Sequence, residues 1–386
     1  MTDLQTQIRA YAEQVDAAAP PVAELAVRGR STRRPGSRAV PAFVAVGAAT
    51  LVAVLSVGGV LLVGRGSPEV AAPSARPTTA AVVPAAADFR LLDPDPVFTS
   101  GPTGNTFGYP HAGPGGIVFV DGEFHAMRSG GDEEGSVVLY STSPDGVQWQ
   151  TVPEPLIVPD DVAWSATTVT VSSLVRVPDG TWMAFFFTTH DIGGHGEHFY
   201  EQRIGRATAA TPAGPWVLDP DPVLAPGGKG SWDDYTLKYP AVVVDDGFVM
   251  FYAGGRSEGP GAIGRATSAD GATWVKDPGP VLTGLAAPSW EDGGLNRPGV
   301  VRRGDSWVLT FSRRTGGVRG VAFSDDGRSW ERHPDNPILD TADLPRGALF
   351  MTSLVERDGD LVWFVQAGGS RTDSETYVMV HDGPLP

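Results

Sequence analysis

The sequence predicts an all-β protein, a five-bladed β-propeller, preceded by a single transmembrane helix. Three observations support this fold class. A short turn phrase recurs at a regular interval, a hairpin pattern recurs with it, and one long uncharged segment lies near the N-terminus. A repeat of roughly 50 residues is typical of propellers, because each repeat is one supersecondary unit that buries its apolar faces against its neighbours.

The turn phrase is Ser-x-Asp-Gly-x-x-Trp. It ends at Trp149, Trp274 and Trp330, and a degenerate copy ends at Trp216, so the tryptophans are 67, 58 and 56 residues apart. In such a turn the Asp accepts backbone N–H groups and the Gly adopts a positive φ. The Trp supplies a large apolar face for packing between blades. We therefore assign these residues to the scaffold.

A hairpin pattern accompanies each turn phrase. Tyr239–Gly254 is the clearest copy, with an apolar strand, a polar turn containing Gly247 and a second apolar strand, which is the hairpin signal. The matching segments begin at Tyr109, Ser172, Arg297 and Thr352, and a Pro-x-Pro-Val-Leu-like stretch also occurs five times. We predict five blades of four strands, in which a strand near residues 89–98 completes the last blade and leaves no open edge.

Composition excludes several classes of function. The chain has no cysteine, so disulfides and thiolate chemistry are ruled out. Its formal net charge is −16, although residues 1–66 carry seven arginines against four acidic residues. The globular part is therefore strongly acidic and repels nucleic acid, which we exclude as a partner. No cofactor and no metal are predicted.

Residues 39–64 are uncharged and apolar, and five arginines lie between positions 28 and 38 just before them. About 20 apolar residues span a bilayer, and the positive-inside rule places residues 1–38 in the cytoplasm. A cleaved signal peptide is one alternative, but this run exceeds the usual apolar region of 7–15 residues. A buried core helix is the other. Residues 65–87 are then a disordered Pro/Ala/Thr-rich linker, and residues 88–386 an extracellular propeller on the cell membrane.

The predicted cytoplasmic segment contains one amphipathic pattern. Leu4, Ile8, Tyr11 and Val15 recur at helical spacing within residues 2–18. Two interpretations are open: a short helix that meets a cytoplasmic partner, and a frayed polar tail.

Two segments resemble a known family of enzymes. Ala209–Trp216 is similar to the Ala-x-Ser-Pro-x-Gly-Pro-Trp segment of family 43 glycoside hydrolases, and Met250–Gly254 is similar to a hairpin in families 43, 32 and 130. The resemblance implies a five-bladed propeller over about residues 89–386 and three channel carboxylates, with the base preceding a proline. The corresponding dipeptide in this chain is Tyr109-Pro110, which supplies no carboxylate.

Two acidic pairs occupy matching places in the repeat. Trp232-Asp233-Asp234 and Trp290-Glu291-Asp292 each lie eight residues, counted from Trp, before the proline of an inner strand. Residues before the innermost strand approach the channel, and glycoside hydrolysis requires two carboxyl groups beside the bond. Asp233, Asp234, Glu291 and Asp292 are therefore the catalytic candidates. The alternative is that these acids only cap a turn of the scaffold.

Polar and aromatic residues around the same strands are candidates for sugar contacts, since hydroxyls need charged or amide partners and sugar rings need aromatic faces. The candidates are His111, Tyr109, Lys238, Tyr239, Asn296, Arg297, Asp191 and Arg256. A segment rich in His and Gly, residues 190–198, is a loop that could cover the channel, although its three histidines leave a metal site conceivable.

The leading hypothesis is a membrane-anchored, glycoside hydrolase-like propeller that acts on or binds a carbohydrate or polysaccharide through acidic residues at its channel. The alternatives are a non-catalytic carbohydrate-binding propeller, which the missing base favours, and a sensor whose cytoplasmic segment reports on the propeller.

Overall fold

A computed structural model describes residues 89–99, 113–131, 136–164, 168–191, 200–256, 259–340, 343–346, 348–370 and 373–381. All of them belong to one compact unit. The predicted cytoplasmic segment, membrane segment and linker, residues 1–87, lie outside the described residues. Within the described ranges, no helix has the length and apolar character that a membrane crossing requires.

The described residues form five blades of antiparallel strands, as the sequence predicts. Blade 1 contains β3 (Gly113–Val120), β4 (Glu123–Gly131), β5 (Ser136–Ser143) and β6 (Gln150–Thr151). Blade 2 contains β7 (Thr168–Arg176), β8 (Trp182–Asp191), β9 (Tyr200–Ala209) and β10 (Val217–Leu218). Blade 3 contains β11 (Thr236–Val244), β12 (Phe248–Gly255), β13 (Ala262–Ser268), β14 (Val275–Lys276) and β15 (Leu282–Thr283). Blade 4 contains β16 (Leu295–Arg303), β17 (Ser306–Arg313), β18 (Arg319–Ser324) and β19 (Glu331–Arg332). Blade 5 contains β20 (Ala348–Arg357), β21 (Asp360–Ser370), β22 (Asp373–His381), β1 (Phe89–Leu91) and β2 (Phe98–Thr99).

The first strand of each blade forms the inner wall of a ring. β3 contacts β7, β7 contacts β11, β11 contacts β16, β16 contacts β20, and β20 contacts β3. Short parallel pairs, Ser136 with Thr168 and Gln202 with Thr236, also join blades 1, 2 and 3 into one sheet. The five inner strands therefore enclose a central channel. We call the end at their N-termini the channel mouth and the opposite end the far end.

The ring closes through the N-terminal strand, as predicted. Phe89 pairs with His381 and Leu91 with Met379, so β1 is the outer neighbour of β22 in blade 5. Phe98 of β2 pairs with Thr376 of the same strand. This pairing covers an edge that β22 would otherwise expose.

The Asp-Gly-Trp turns have the scaffold role that the sequence predicts. In the third copy, Asp270 Oδ1 accepts the N–H groups of Ala272 and Thr273 at 2.8 Å, and these bonds lower the pKa of the Asp270 carboxyl. Gly271 has a φ of 70°. Trp274 donates its indole N–H to the Gly271 carbonyl at 2.9 Å. The same bonds recur at Ser143–Trp149. At Ser324–Trp330 the Ser and Asp bonds recur, but the indole N–H of Trp330 is buried without a hydrogen bond.

Each of these tryptophans packs on a phenylalanine of the preceding blade. Trp149 contacts Phe364 of blade 5 at 5.7 Å between ring centroids. The other pairs are Trp274 with Phe185, at 5.8 Å, and Trp330 with Phe251, at 5.5 Å. All are edge-to-face contacts, the geometry that aromatic quadrupoles favour. The repeated Trp thus joins blades and does not reach the channel.

Candidate functional site

The structure corrects one alignment made from the sequence. Lys238 pairs with Ala253 and Ala241 with Phe251, with a bulge between them, and Gly113 and Gly116 flank the equivalent bulge in β3. The residues of β3 that match Tyr239-Pro240 are therefore Pro114-Gly115, and not Tyr109-Pro110. Counting back from the hairpin glycine gives the same result, because Tyr109 lies 13 residues before Gly122 but Tyr239 only eight before Gly247.

Two candidate residues occupy bulges where their inner strands leave the mouth. Tyr239 in β11 has a φ of 53°, and Arg297 in β16 has a φ of 48°. The register shifts at both places, between Lys238 and Ala241 and between Asn296 and Gly299. Bulges redirect a side chain, and left-handed backbone at a residue other than glycine is strained and concentrates at functional sites. The two blades thus present Tyr239 and Arg297 in the same way.

The two bulge residues meet each other. The Arg297 guanidinium carbon lies 5.2 Å from the centroid of the Tyr239 ring, and Lys238 Nζ lies 5.7 Å from the same centroid. Phe187 of blade 2 packs edge-on against the Tyr239 ring, at 4.7 Å between centroids. The neighbouring Asn296 is buried, and its Oδ1 accepts the Arg297 N–H at 3.0 Å. Four of the predicted sugar-binding residues therefore share one cluster between blades 3 and 4.

Asp233 lies inside blade 3. Only 2% of it is exposed. Lys276 Nζ of the outer strand β14 donates to Asp233 Oδ2 at 2.7 Å, Tyr252 donates its hydroxyl to the same oxygen at 3.3 Å, and Ser231 Oγ donates to Oδ1 at 3.1 Å. Burial raises the pKa of Tyr252, and the charge of Asp233 acts in the same direction. The carboxylate thus fastens its loop to the outer strand of the blade.

Glu291 repeats this arrangement in blade 4. Only 1% of it is exposed. Arg332 of the outer strand β19 holds both carboxylate oxygens, with Nε to Oε1 and Nη2 to Oε2 each at 2.8 Å. The Leu285 N–H also donates to Oε2, at 3.1 Å. Such two-pronged Arg–carboxylate pairs are rigid and strong.

The tryptophan before each acid belongs to the same structural unit, which we call the loop clamp: Trp232-Asp233 with Lys276, and Trp290-Glu291 with Arg332. Trp232 stacks on Tyr252 at 5.9 Å, and Trp290 stacks on Phe311 at 5.7 Å. Gly320 leaves room for this stack, because a Cβ there would come within 2.9 Å of the Trp290 ring.

Blade 2 has the stack without the ion pair. Trp164 stacks on Phe186 at 6.1 Å, but Ser165 follows Trp164, and Leu218 occupies the place of Lys276 and Arg332 in the outer strand. The acidic residue after Trp and the Lys or Arg of the outer strand are therefore both present in blades 3 and 4. Both are replaced in blade 2. This pattern favours the scaffold interpretation of Asp233 and Glu291 that the sequence left open.

The other two predicted acids are more accessible. Asp234 is partly exposed, and its Oδ2 accepts the Gly230 N–H at 2.8 Å. Arg256, at the end of β12, supports this loop by donating from Nε to the Ser231 carbonyl at 3.1 Å. Asp292 is exposed. Asp234 and Asp292 are the members of the two acidic pairs that remain available to a ligand, and the catalytic role of all four acids stays a prediction.

Three further candidates cannot be placed. Tyr109 and His111 lie outside the described residues. Asp191 is described only by its backbone, which pairs with Tyr200 at the mouth end of β8. Within the described ranges, no group of three or more His, Asp or Glu side chains is arranged to hold a metal ion.

Sequence reasoning missed two features of the mouth. It missed the cations of the clamps, although Trp274-x-Lys276 and Trp330-x-Arg332 occur in the two blades that carry Trp-acid. It also missed Arg313 and Arg314, at the end of the second strand of blade 4. Leu295 of β16 pairs with Arg313, which puts both arginines beside the Arg297 bulge.

The channel beyond the bulges encloses about 220 Å³. Its lining comes from all five inner strands, and includes Ile117, Ser173, Val242, Val300 and Leu354. At the far end, ion pairs join neighbouring blades: Asp121 with Arg176, Asp245 with Arg302, and Arg303 with Glu356. The narrow channel therefore ends at salt-bridged hairpin turns at the far end and at the Tyr239–Arg297 cluster at the mouth.

Comparisons with known proteins support the fold. No protein-family model and no curated protein matches the chain. Among solved structures, a complex of BT0996 with RGII matches with a TM-score of 0.58 at 16% identity, over 76% of this chain and 93% of that one. A thermostable family-43 glycoside hydrolase matches with a TM-score of 0.55 at 13% identity, over 71% of this chain and 93% of its own. The GH43_1 enzyme from Xanthomonas citri matches with a TM-score of 0.51 at 14% identity, over 72% of this chain and 91% of its own. At these identities the likeness concerns architecture, and the chain has the five-bladed propeller fold of family-43 glycoside hydrolases.

Proposed function

We propose that this propeller binds a glycan at the channel mouth, between blades 3 and 4. The observation that carries the proposal is the cluster of Tyr239, Arg297 and Asn296, which two strained bulges present together at the mouth. An aromatic ring beside guanidinium and amide groups suits a sugar ring and its hydroxyls. The fold shared with glycoside hydrolases points the same way, and one similar structure is a complex with RGII.

Binding without hydrolysis is the form of this function that the contacts support best. A general acid or base must reach the scissile bond and exchange a proton there. Asp233 and Glu291 are buried, and each is committed to a cation of an outer strand. The register of β3 places Pro114-Gly115, which carry no carboxylate, at the inner-strand position that matches Tyr239-Pro240. Two of the four predicted acids are thus bound up in the scaffold.

A glycoside hydrolase is the second candidate, and the partial exposure of Asp234 favours it. Its carboxylate lies on the loop directly before β11, where a mouth ligand would contact it. Hydrolysis would then depend on Asp234 together with Asp292 or with an acid outside the described residues, at the separation that the mechanism requires.

One experiment separates the two candidates. Full-length protein is incubated with a panel of polysaccharides, and both retention on the polysaccharide and release of reducing ends are measured. We expect retention without release, and retention that survives Asp234→Asn. Release that Asp234→Asn abolishes, while Asp121→Asn at the far end leaves it intact, would establish the hydrolase. If neither retention nor release occurs with any polysaccharide, glycan recognition is wrong.

We further propose that residues 39–64 anchor the protein in the cell membrane, with residues 88–386 outside. The apolar length and the arginines before it support this orientation. The absence of cysteine makes the test direct, since an introduced Cys is the single thiol. In intact cells, a membrane-impermeant maleimide should label Ser74→Cys and not Ser31→Cys, and equal labelling of both would contradict the topology.

A further inference from the structure

The channel mouth concentrates arginines that have no carboxylate partner among the described residues. Arg256, Arg313 and Arg314 lie at the ends of β12 and β17 that flank the mouth. Each donates to backbone carbonyls: Arg256 to Ser231, Arg313 to Gly316, and Arg314 to Gly259. In this acidic protein the arginines elsewhere in blades 2 to 5 mostly face a carboxylate. The described ion pairs of that kind involve Arg176, Arg206, Arg265, Arg302, Arg303, Arg328, Arg332, Arg346 and Arg357.

Arg297 is the strongest case in this group. Its Nε and Nη1 atoms are buried and make no hydrogen bond. Buried donors are almost always satisfied in folded proteins, and an unmade bond to a charged group is costly. The Arg297 guanidinium faces the Tyr239 ring, which supplies a π face but no acceptor oxygen. Two guanidinium nitrogens of Arg297, the residue at the β16 bulge, therefore lack acceptors.

A second buried guanidinium reinforces the positive charge. Arg319, the first residue of β18, is 0% exposed. Burial lowers its pKa to about 9, and the charge of Arg297 acts in the same direction. Lys238 Nζ lies 5.7 Å from the centroid of the Tyr239 ring. In the two loops that precede β11 and β16, the carboxylates are Asp233 and Glu291, which the clamps neutralise, and Asp234 and Asp292.

Arg128 is a buried arginine whose hydrogen bonds lie within its own blade. It is also fully buried without a carboxylate, inside blade 1. There, Nε donates to Ser141 Oγ at 2.8 Å and Nη2 to Thr151 Oγ1 at 3.0 Å, and the guanidinium covers the Phe98 ring at 4.1 Å. A scaffold arginine of this protein is thus tied to hydroxyls of its own blade through Nε and Nη2, and its Nη1 alone is buried without a hydrogen bond. Arg297 has no such bonds, although it occupies a more accessible place.

We propose that Arg297, which shares the Tyr239 ring with Lys238, binds the carboxylate of an acidic sugar residue, so that the glycan recognised at the mouth contains uronic acid. A guanidinium fork matches a carboxylate with two parallel hydrogen bonds. A local cluster of cations in an otherwise acidic protein also attracts an anionic chain.

The inference rests on the proposed glycan-binding function, and the test separates the two. Full-length protein is titrated calorimetrically with trisaccharides of galacturonic acid and of glucuronic acid, with the methyl ester of each, and with inorganic phosphate. At least one uronate should bind at least tenfold more tightly than its own ester, and 0.5 M NaCl should weaken that binding. Arg297→Met, which keeps the stem and removes the donors, should abolish the preference for the acid over the ester.

Arg176→Met is the matched control, because Arg176 pairs with Asp121 at the far end and should leave binding unchanged. Esters that bind as tightly as the acids would overturn the carboxylate site and leave glycan binding standing. Phosphate that binds more tightly than either uronate, or an Arg297→Met variant that keeps the preference, would also overturn it. If no saccharide binds at all, both proposals fail together.

Discussion

The two ends of the channel use charge in opposite ways. At the far end, residues of the hairpin turns form ion pairs between neighbouring blades, such as Asp121 with Arg176 and Arg303 with Glu356. At the mouth, Asp233 and Glu291 turn away from the channel into their own blades, and Arg297 keeps unused donors. Charge therefore joins blades at one end and remains available for a ligand at the other.

The comparison also explains why two adjacent acids differ in their contacts and exposure. Asp233 and Asp234 are adjacent, yet the first is enclosed by Lys276 and Tyr252 while the second bonds one backbone N–H and meets solvent. In each acidic pair, the first acid belongs to the loop clamp and holds the loop in place. A loop held in this way can present its neighbours at the mouth without moving.

The largest effect should come from breaking a clamp. Glu291→Gln leaves Arg332 without its counter-charge, so we expect the free energy of unfolding to fall by about 3 kcal/mol. Chemical denaturation of the full-length protein measures this. The pair of changes Glu291→Ser with Arg332→Leu, which copies blade 2, should recover much of the loss. A Glu291→Gln variant as stable as the parent would show that the clamp is not structural.

The second-largest effect, that of Arg297→Met on the free energy of unfolding, should have the opposite sign. Arg297→Met keeps the left-handed residue and most of the packing on Tyr239, but removes the buried donors that lack partners. We expect the free energy of unfolding to stay the same or to rise by up to about 1 kcal/mol, because an unsatisfied buried group no longer opposes folding. A clear fall in the free energy of unfolding would indicate that Arg297 supports the scaffold and is not kept for a ligand.

The smallest effect should come from the far end. Asp121 is 79% exposed and Arg176 is 37% exposed in their ion pair, and exposed pairs contribute little. Arg176→Met should therefore lower the free energy of unfolding by about 0.5 kcal/mol or less. High salt should shrink this difference further. A loss as large as that of Glu291→Gln would remove the distinction between the two ends.

The fold could be predicted because it follows from local chemistry that repeats. An Asp that accepts two N–H groups, a Gly with positive φ and a Trp that packs on the preceding blade recur wherever the phrase occurs, as at Asp270–Trp274. The closing strand could be predicted as well, since a last blade with an open edge needs a partner. These inferences require only neighbours in sequence or a count of strands.

The site could be predicted only in part, because its contacts join distant segments. Tyr239, Lys238, Asn296 and Arg297 share one cluster, as expected for residues at matching places in two adjacent blades. The direction in which Asp233 turns depends on Lys276, 43 residues away, and the spacing of Trp-acid alone does not reveal it. The Tyr109-Pro110 alignment failed for a different reason: it matched a dipeptide by identity, whereas register is set by distance from the hairpin turn.

The strand that closes the ring is also the first part of the propeller to be made. Phe89 must wait for His381, so the last blade cannot be completed until almost the whole chain has been synthesised. Any load applied through the N-terminal segment falls first on the three residue pairs between β1 and β22. Detaching this short strand would expose the edge of β22 while the other four blades keep their own strands. Blade 5 is therefore the blade whose outer edge depends on residues from the opposite end of the sequence.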